Sequence, residues 1–357
     1  KVLSGLKAAL GDIPIVGGSS VGTITSNQLG YAGFECAVAL WPQSLGTPEI
    51  VSVSMRDGED AAGRELGRRM RNAAGNPSSA LLFYDSIRSS PPPSLYVGSA
   101  LTEGIYAELG DKNLTVVGAG QLGDITLSGS VVFNGQEAVK HTAVAVILPQ
   151  GVHAHSSIMH GCVPLSGFLE ITRIEGATIY ELDGRPAFEV VKEKLGLTSD
   201  KLNNLSLSIT FGEKHGDLFG PYDESAYVNR LVIGVDPEKG SFTLFEADFK
   251  KGARVQLMSR ENNAMLASVK ARTQLLRESV AGKKVACGLY VDCAGRARAF
   301  SGGEVEEASV LQSSLGEGFP LLGFYSGVEI APLLGRSRPL DWTGVLTLFT
   351  VDGQSTP

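Results

Sequence analysis

"PIVGGSSVGTI" (14–24) reads as an apolar strand running into a glycine-rich turn and out again. Such a turn either cradles a phosphate or serves the architecture, and the phrase returns twice: "TVVGAGQLGDI" (115–125) and "PLLGFYSGVEI" (320–330). Apolar residues lead into Gly17, Gly118 and Gly323, and each phrase closes on an isoleucine: Ile24, Ile125, Ile330. A helix-like segment precedes each one: "VLSGLKAALG" (2–11), "LTEGIYAELG" (101–110) and "ASVLQSSLG" (308–316), with a glycine where a C-cap belongs. A second strand follows: "ECAVALW" (35–41), "HTAVAVIL" (141–148) and "WTGVLTLF" (342–349). Copies two and three also have a leading strand, "ALLFYDS" (80–86) and "CGLYVDC" (287–293), which matches Asp85 to Asp292 and Ser86 to Cys293. Copy one lacks it, and the chain begins without methionine, so an upstream element is expected.

The repeated unit is therefore strand, helix, strand, glycine turn, strand, and three copies in the same order indicate internal duplication. A dinucleotide fingerprint needs its glycine turn to open directly into a helix. In "GAGQLG" (118–123) the helix lies on the wrong side, so nucleotide binding is not expected. The expected fold is α/β with mixed sheets, a two-domain layered sandwich. The first domain spans 1–160 and holds copies one and two; the second, 161–357, holds an inserted hairpin region and copy three, with the boundary between 155 and 187.

The middle of the chain has another texture. "GFLEITRIEGATIYELDGRPAFEVVKEKLG" (167–196) predicts strand, turn, strand, turn, helix. Residues 227–260 predict strands around "DPEKG", and 261–282 a helix ending at a glycine. Residues 198–225 are polar and irregular, the expected mobile loop.

Composition narrows the function classes. Hydrophobic residues make up 43% and charged ones 19%, enough apolar material for a sizeable core. The net charge of −7 argues against nucleic acid or an anionic membrane as a partner. "GRELGRRMR" (63–71) interleaves its arginines with Glu65 and reads as a solvated helix face. No apolar run is long enough for a membrane span, and the start lacks a secretory h-region. Four cysteines without framework spacing fit a reducing cytoplasm.

The stretch 161–196, "YVNRLVIGVDPEKGSFTL" (227–244), "GLYVDCAGRARAF" (288–300) and "FPLLGFYSGVEIAP" (319–332) resemble successive signatures of the FIST sensory proteins, which join an N-terminal and a C-terminal FIST domain. "IPIVGGSSVGTI" (13–24) resembles the early N-terminal signature. The resemblance implies an intracellular, non-catalytic ligand-sensing module of bacterial signal transduction, with a small metabolite such as an amino acid as ligand and a signalling protein as partner. Eukaryotic relatives attach the pair to an F-box, which implies a protein-interaction scaffold as the alternative. One departure stands out: the family's last signature has glycine before glutamate, whereas here Val328 precedes Glu329 and Gly327 lies one place earlier.

Candidate ligand contacts are Ser19, Ser20, Tyr325, Ser326 and Glu329 at the glycine turns, and Asp292, Cys293 and Arg296 beyond an apolar strand whose end should present them. Ser19 and Ser20 could equally satisfy backbone groups in a tight turn. Arg296 could read a carboxylate together with Glu329 reading an amine, or it could form a structural pair with Asp292. Cys293 beside a cation could be a nucleophile, making a Cys-dependent enzyme, but no histidine is placed as its base. His153, His155, His160 and Cys162 are ligand types zinc accepts; their spacing matches no common site, so no metal or other cofactor is expected. The carboxylates of "EVEEASVLQ" (304–312) read as a helix start favoured by the macrodipole. A pocket between the domains is the expected binding place.

Overall fold

The computed structural model describes residues 2–31, 33–198 and 208–353. Two six-stranded sheets stack face to face, each covered outside by two helices, with a small barrel inserted beside them. The first sheet runs in the order Arg336–Leu340, Val328–Leu333, Thr115–Gln121, Ser79–Asp85, Thr142–Ile147, Glu49–Ser54. Helices Glu59–Asn72 and Gly98–Leu109 cover it because Leu66, Met70, Leu101 and Ile105 recur at helical spacing and bury against Leu82, Val116 and Ala145. On the first of these helices, Glu65 pairs with Arg68 and Arg69 on the solvated face, as the sequence predicts.

The second sheet runs Val152–Met159, Gly344–Val351, Lys284–Cys293, Leu321–Ser326, Gly22–Thr25, Leu29–Gly30. Helices Asn262–Ser279 and Glu307–Leu315 cover its outer face through Val269, Leu276, Leu311 and Leu315. Between the sheets, Val117, Ala119 and Val146 meet Leu289, Val291 and Phe349. Strands this apolar on both sides need cover on both, which the four-layer arrangement provides.

The repeat is visible in the pairing. Ser79–Asp85 runs parallel to Thr115–Gln121 and antiparallel to Thr142–Ile147. Lys284–Cys293 likewise runs parallel to Leu321–Ser326 and antiparallel to Gly344–Val351. Gly118 lies opposite Leu82, and Gly323 opposite Tyr290. A Cβ on Gly118 would stand 1.9 Å from the Leu82 carbonyl oxygen, and one on Gly323 2.6 Å from that of Tyr290. The recurring glycine is thus a packing requirement between neighbouring strands, not a phosphate loop. At Gly17 nothing lies within 4 Å; its φ of +132° is what calls for glycine there.

One of the phrases crosses between the two large sheets, and another enters the second sheet from a small three-stranded one. Leu321–Ser326 lies in the second sheet and, after Gly327, continues as Val328–Leu333 in the first. Ile15–Gly18 pairs with Val132–Gly135, then Gly22–Thr25 enters the second sheet beside Leu321–Ser326. The N-terminal part of the chain therefore completes the second sheet and the C-terminal part completes the first. A cut near residue 160 separates segments whose strands are interleaved.

Residues 163–260 intervene between Val152–Met159 and helix Asn262–Ser279 and build the barrel. Leu169–Glu175, Arg254–Met258, Thr210–Lys214, Tyr227–Asp236, Ser241–Leu244 and Thr178–Leu182 pair in that order, and the last returns to the first. Helix Ala187–Leu195 seats Phe188, Val190 and Val191 among Phe211, Phe242 and Leu257. The strand–turn–strand–turn–helix reading of 167–196 is borne out. Of the expected loop 198–225, residues 199–207 lie outside the described residues, while Thr210–Lys214 is a barrel strand. One expectation is corrected: "ECAVALW" (35–41) is not a strand. Its apolar alternation finds no partner strand, leaving Val38 47% and Leu40 67% exposed.

Candidate functional site

The crossing of Leu321–Ser326 into Val328–Leu333 gathers most of the sequence-predicted residues, but inside the protein rather than at a solvent-facing strand end. Asp292, Arg296, Tyr325 and Glu329 are fully buried, Ser326 nearly so, and Cys293 is 7% exposed. Burial of this many ionisable groups is costly unless each is paired. Arg296, on the turn after Lys284–Cys293, forks onto Glu307: Nε donates to Oε2 at 2.8 Å and Nη2 to Oε1 at 2.5 Å. Its Nη1 donates to the carbonyls of Trp342 (2.9 Å) and His160 (3.3 Å), and Asp292 lies 3.2 Å from its Nε. Tyr290 Oη donates to Glu307 Oε1 at 2.6 Å.

Of the two arrangements open to Arg296, the structure shows the pair with Asp292, with Glu307 as principal partner. Glu329 stands apart: it accepts from Ser326 Oγ (2.9 Å) and the Thr343 amide (3.3 Å). Glu306 accepts from Tyr325 Oη (2.6 Å) and Tyr31 Oη (2.7 Å), so Tyr325 is also occupied. Glu306 and Glu307, read from sequence as a helix start, are the acids that organise the cluster. The doublet stands next to a helix N-terminus, where the macrodipole alone accounts for it, so only the buried Arg296 reveals its second role.

One guanidinium cannot neutralise all these carboxyls. Burial, and then the neighbouring Glu307, hold Asp292 well above the usual carboxylate range. Neither of its oxygens has a hydrogen-bond partner among the described residues. Burial likewise raises Glu329. Cys293 is held well above an ordinary thiol, first by burial and next by Glu329, so it is a thiol and not a thiolate. The expected match of Asp85 to Asp292 and Ser86 to Cys293 is corrected by one residue: with Leu82 opposite Gly118 and Tyr290 opposite Gly323, Asp85 corresponds to Cys293 and Tyr84 to Asp292. Asp85 accepts from Ser130 Oγ and the amides of Ile87 (3.1 Å) and His141 (2.6 Å).

Ser19 Oγ accepts from the Val131 amide at 3.0 Å, and Ser20 Oγ donates to the Gly22 carbonyl at 2.9 Å. Both therefore do the backbone work of a tight turn. Gly327, one place earlier than in the family signature, occupies the crossing, where a Cβ would stand 2.7 Å from the Leu122 side chain.

The histidines do not converge. His153 bonds Asp352 (2.9 Å) and Ser78 (3.0 Å), and His155 bonds Thr350 (2.9 Å). His160 is buried: the Cys162 amide donates to its Nδ1, so Nε2 carries the proton and donates to the Glu224 carbonyl at 2.9 Å. Burial holds this imidazole down at about 4 and pushes the Cys162 thiol up to about 12. Among the described residues no group of three His, Cys, Asp or Glu side chains could hold a metal ion.

Two cavities lie elsewhere and are lined by none of the eight ligand candidates. One, of about 700 Å³, lies at the sheet ends between His153, His155, Lys283 and Asp352. The other, of about 270 Å³, is lined by the barrel side, helix Gly98–Leu109 and strand Arg336–Leu340. Sequence gave no sign of the second, because its walls come from residues more than a hundred positions apart. Beside it Arg230, fully buried, forks onto Asp248 (2.7 and 2.5 Å) and lies 3.4 Å from Asp341. Glu246, on the same seam, accepts from the Ser99 amide and hydroxyl.

Paired sheets under helices, with an inserted barrel, define a layered α/β module in which N-terminal and C-terminal segments contribute strands to the same sheets. The chain belongs to the FIST family: the FIST N domain matches residues 1–185 and the FIST C domain residues 187–332. FIST domains are associated with sensory and signal-transduction proteins. The chain is 28% identical over 260 residues to the uncharacterized protein Rv0628c of Mycobacterium tuberculosis, covering 72% of this chain and 66% of that protein. It is 26% identical over 263 residues to the uncharacterized protein Mb0898c of Mycobacterium bovis, covering 73% and 67%. Among the described residues no helix is long and apolar enough to cross a membrane.

Proposed function

We propose that the protein is a non-catalytic, cytoplasmic ligand-sensing module that binds a small polar metabolite and reports it to a signalling partner. The observation that carries this is the 270 Å³ cavity on the seam where barrel, helix and crossed sheet meet. Occupancy there changes the contacts of three parts of the fold at once, which is what a sensor requires. Membership of the FIST family supports the same reading. Cys293, the nucleophile an enzyme would use, is buried and held as a neutral thiol, which favours binding over catalysis. Four free cysteines support a reducing compartment.

A thermal-shift screen against amino acids, organic acids, sugars and nucleosides tests the reading. A ligand at 100 times its Kd stabilises by about 2.7 kcal/mol. Unfolding entropy of about 2.1 cal/mol/K per residue then predicts a rise of about 3–4 °C for this chain. The scaffold alternative is favoured by one observation, the exposed stretch around Phe34 (96% exposed) and Leu40. A flat screen together with a stoichiometric protein partner lost on Phe34→Ser would support it instead.

A further inference from the structure

We propose that the cavity between the barrel and the first sheet is a binding site for a small organic carboxylate, with the Arg338 guanidinium as its anchor. The inference rests on the sensing reading above and names its site and ligand class. Arg338 projects from Arg336–Leu340, an edge strand of the first sheet, into the cavity wall. Its Nε is buried and has no hydrogen-bond partner among the described residues. It has no carboxylate within 4 Å among them either, unlike Arg230 next door, which is saturated by Asp248 and Asp341.

His215 also lines the cavity; its Nε2 makes no hydrogen bond among the described residues and lies 3.4 Å from Glu213 Oε2. An unpaired buried donor is expensive, and the Arg338 Nε at the cavity marks the place where a ligand's acceptor atom completes the structure. The balance of charge decides which ligand. Burial first, then the Arg338 charge, hold His215 down at about 4, so it is neutral at pH 7. Burial and the neighbouring Asp248 raise Glu213, and Asp248 is already neutralised by Arg230. Arg338 is the half-buried guanidinium of the wall with no carboxylate within 4 Å among the described residues, and the fork of a guanidinium matches a carboxylate. Tyr106, under Arg336, and Phe249 offer apolar surface for a short carbon chain. At about 270 Å³ the cavity suits a metabolite of a few carbons.

The test measures binding of acetate, propionate, succinate, pyruvate, glycine and glutamate, each beside its neutral amide, by calorimetry and thermal shift. It uses the full chain, Arg338→Gln and Ala253→Met; the last narrows the cavity while leaving its charges. Expected is a carboxylate that binds the parent chain, whose amide does not, and whose affinity falls at least about tenfold in both variants. Ala253→Met keeps the test informative should Arg338→Gln fail to fold. A carboxylate bound equally by the parent and both variants overturns the site while leaving the sensing reading intact. If only uncharged metabolites bind, the ligand class is overturned and sensing stands. If nothing in either panel or the wider screen binds, both fall.

Discussion

Replacing Arg296 by methionine removes the one cation from a sealed cluster of carboxyls, and the cost can be worked from its contacts. Arg296 is fully buried and makes four hydrogen bonds, two of them to Glu307. Methionine fills most of the space but leaves the Glu307 carboxyl without its guanidinium partner, and strands the Trp342 and His160 carbonyls. Breaking a buried pair from one side costs about 3–5 kcal/mol. Unfolding entropy of about 2.1 cal/mol/K per residue over 357 residues amounts to about 0.75 kcal/mol/K. The midpoint should therefore drop by about 4–7 °C in scanning calorimetry. Adding Glu307→Leu removes the stranded charge, so the double variant should recover part of the loss, with a coupling energy above about 1 kcal/mol. A drop below about 1 °C, or strict additivity with Glu307→Leu, would refute the view that this cluster locks the crossing of the sheets.

Gly323→Ala should destabilise by about 1–3 kcal/mol, since its Cβ would meet the Tyr290 carbonyl at 2.6 Å, whereas Gly5→Ala, with open space around it, should be neutral or slightly stabilising; chemical denaturation of the two variants checks the contrast. Glu246 is 3% exposed, and burial pushes it up to about 7 from 4.5, so the folded state holds a proton that the unfolded chain releases. Its contribution is present below about pH 4.5 and is lost as pH rises through about 7, a swing of about 3 kcal/mol. His160 and His215, both near 4, act in the opposite sense, losing stability as pH falls from 6.5. Glu246→Gln isolates the first effect: its stability relative to the parent should improve by that swing between pH 4.5 and 7, and a flat difference curve would sink the assignment. A maleimide at pH 7 should label the exposed Cys36 quickly and leave Cys162 and Cys293 untouched until unfolding, as peptide mass mapping would show. Rapid stoichiometric labelling of Cys293 in the native protein would revive the enzyme reading.

Local pattern carried much of the architecture. The alternation and turn residues of 167–196, the amphipathic helices and the thrice-repeated strand-glycine phrase all follow from near-neighbour chemistry, and each reads directly from the chain. The phrase matched Asp85 to Asp292, but the parallel pairings shift that match by one residue: counted from Gly118 and Gly323, Asp85 corresponds to Cys293 and Tyr84 to Asp292. The segment 35–41 misled because alternation describes a strand's faces and says nothing of whether a partner's hydrogen bonds are available. The serines of the first turn and Arg296 were visible as polar residues beside glycine or after an apolar strand. Whether they face a ligand or one another depends on where Glu307, Trp342 and Val131 arrive. Those positions are set by strands crossing between sheets, a relation among residues up to hundreds of positions apart. The same holds for the cavity of Arg338 and His215: each is an unremarkable charged or polar residue in its own strand. Only the closure of a barrel against a sheet edge brings both to one cavity and buries the Arg338 Nε without a partner among the described residues, and an unpaired buried donor is a property of the assembled interior that no local stretch of sequence contains.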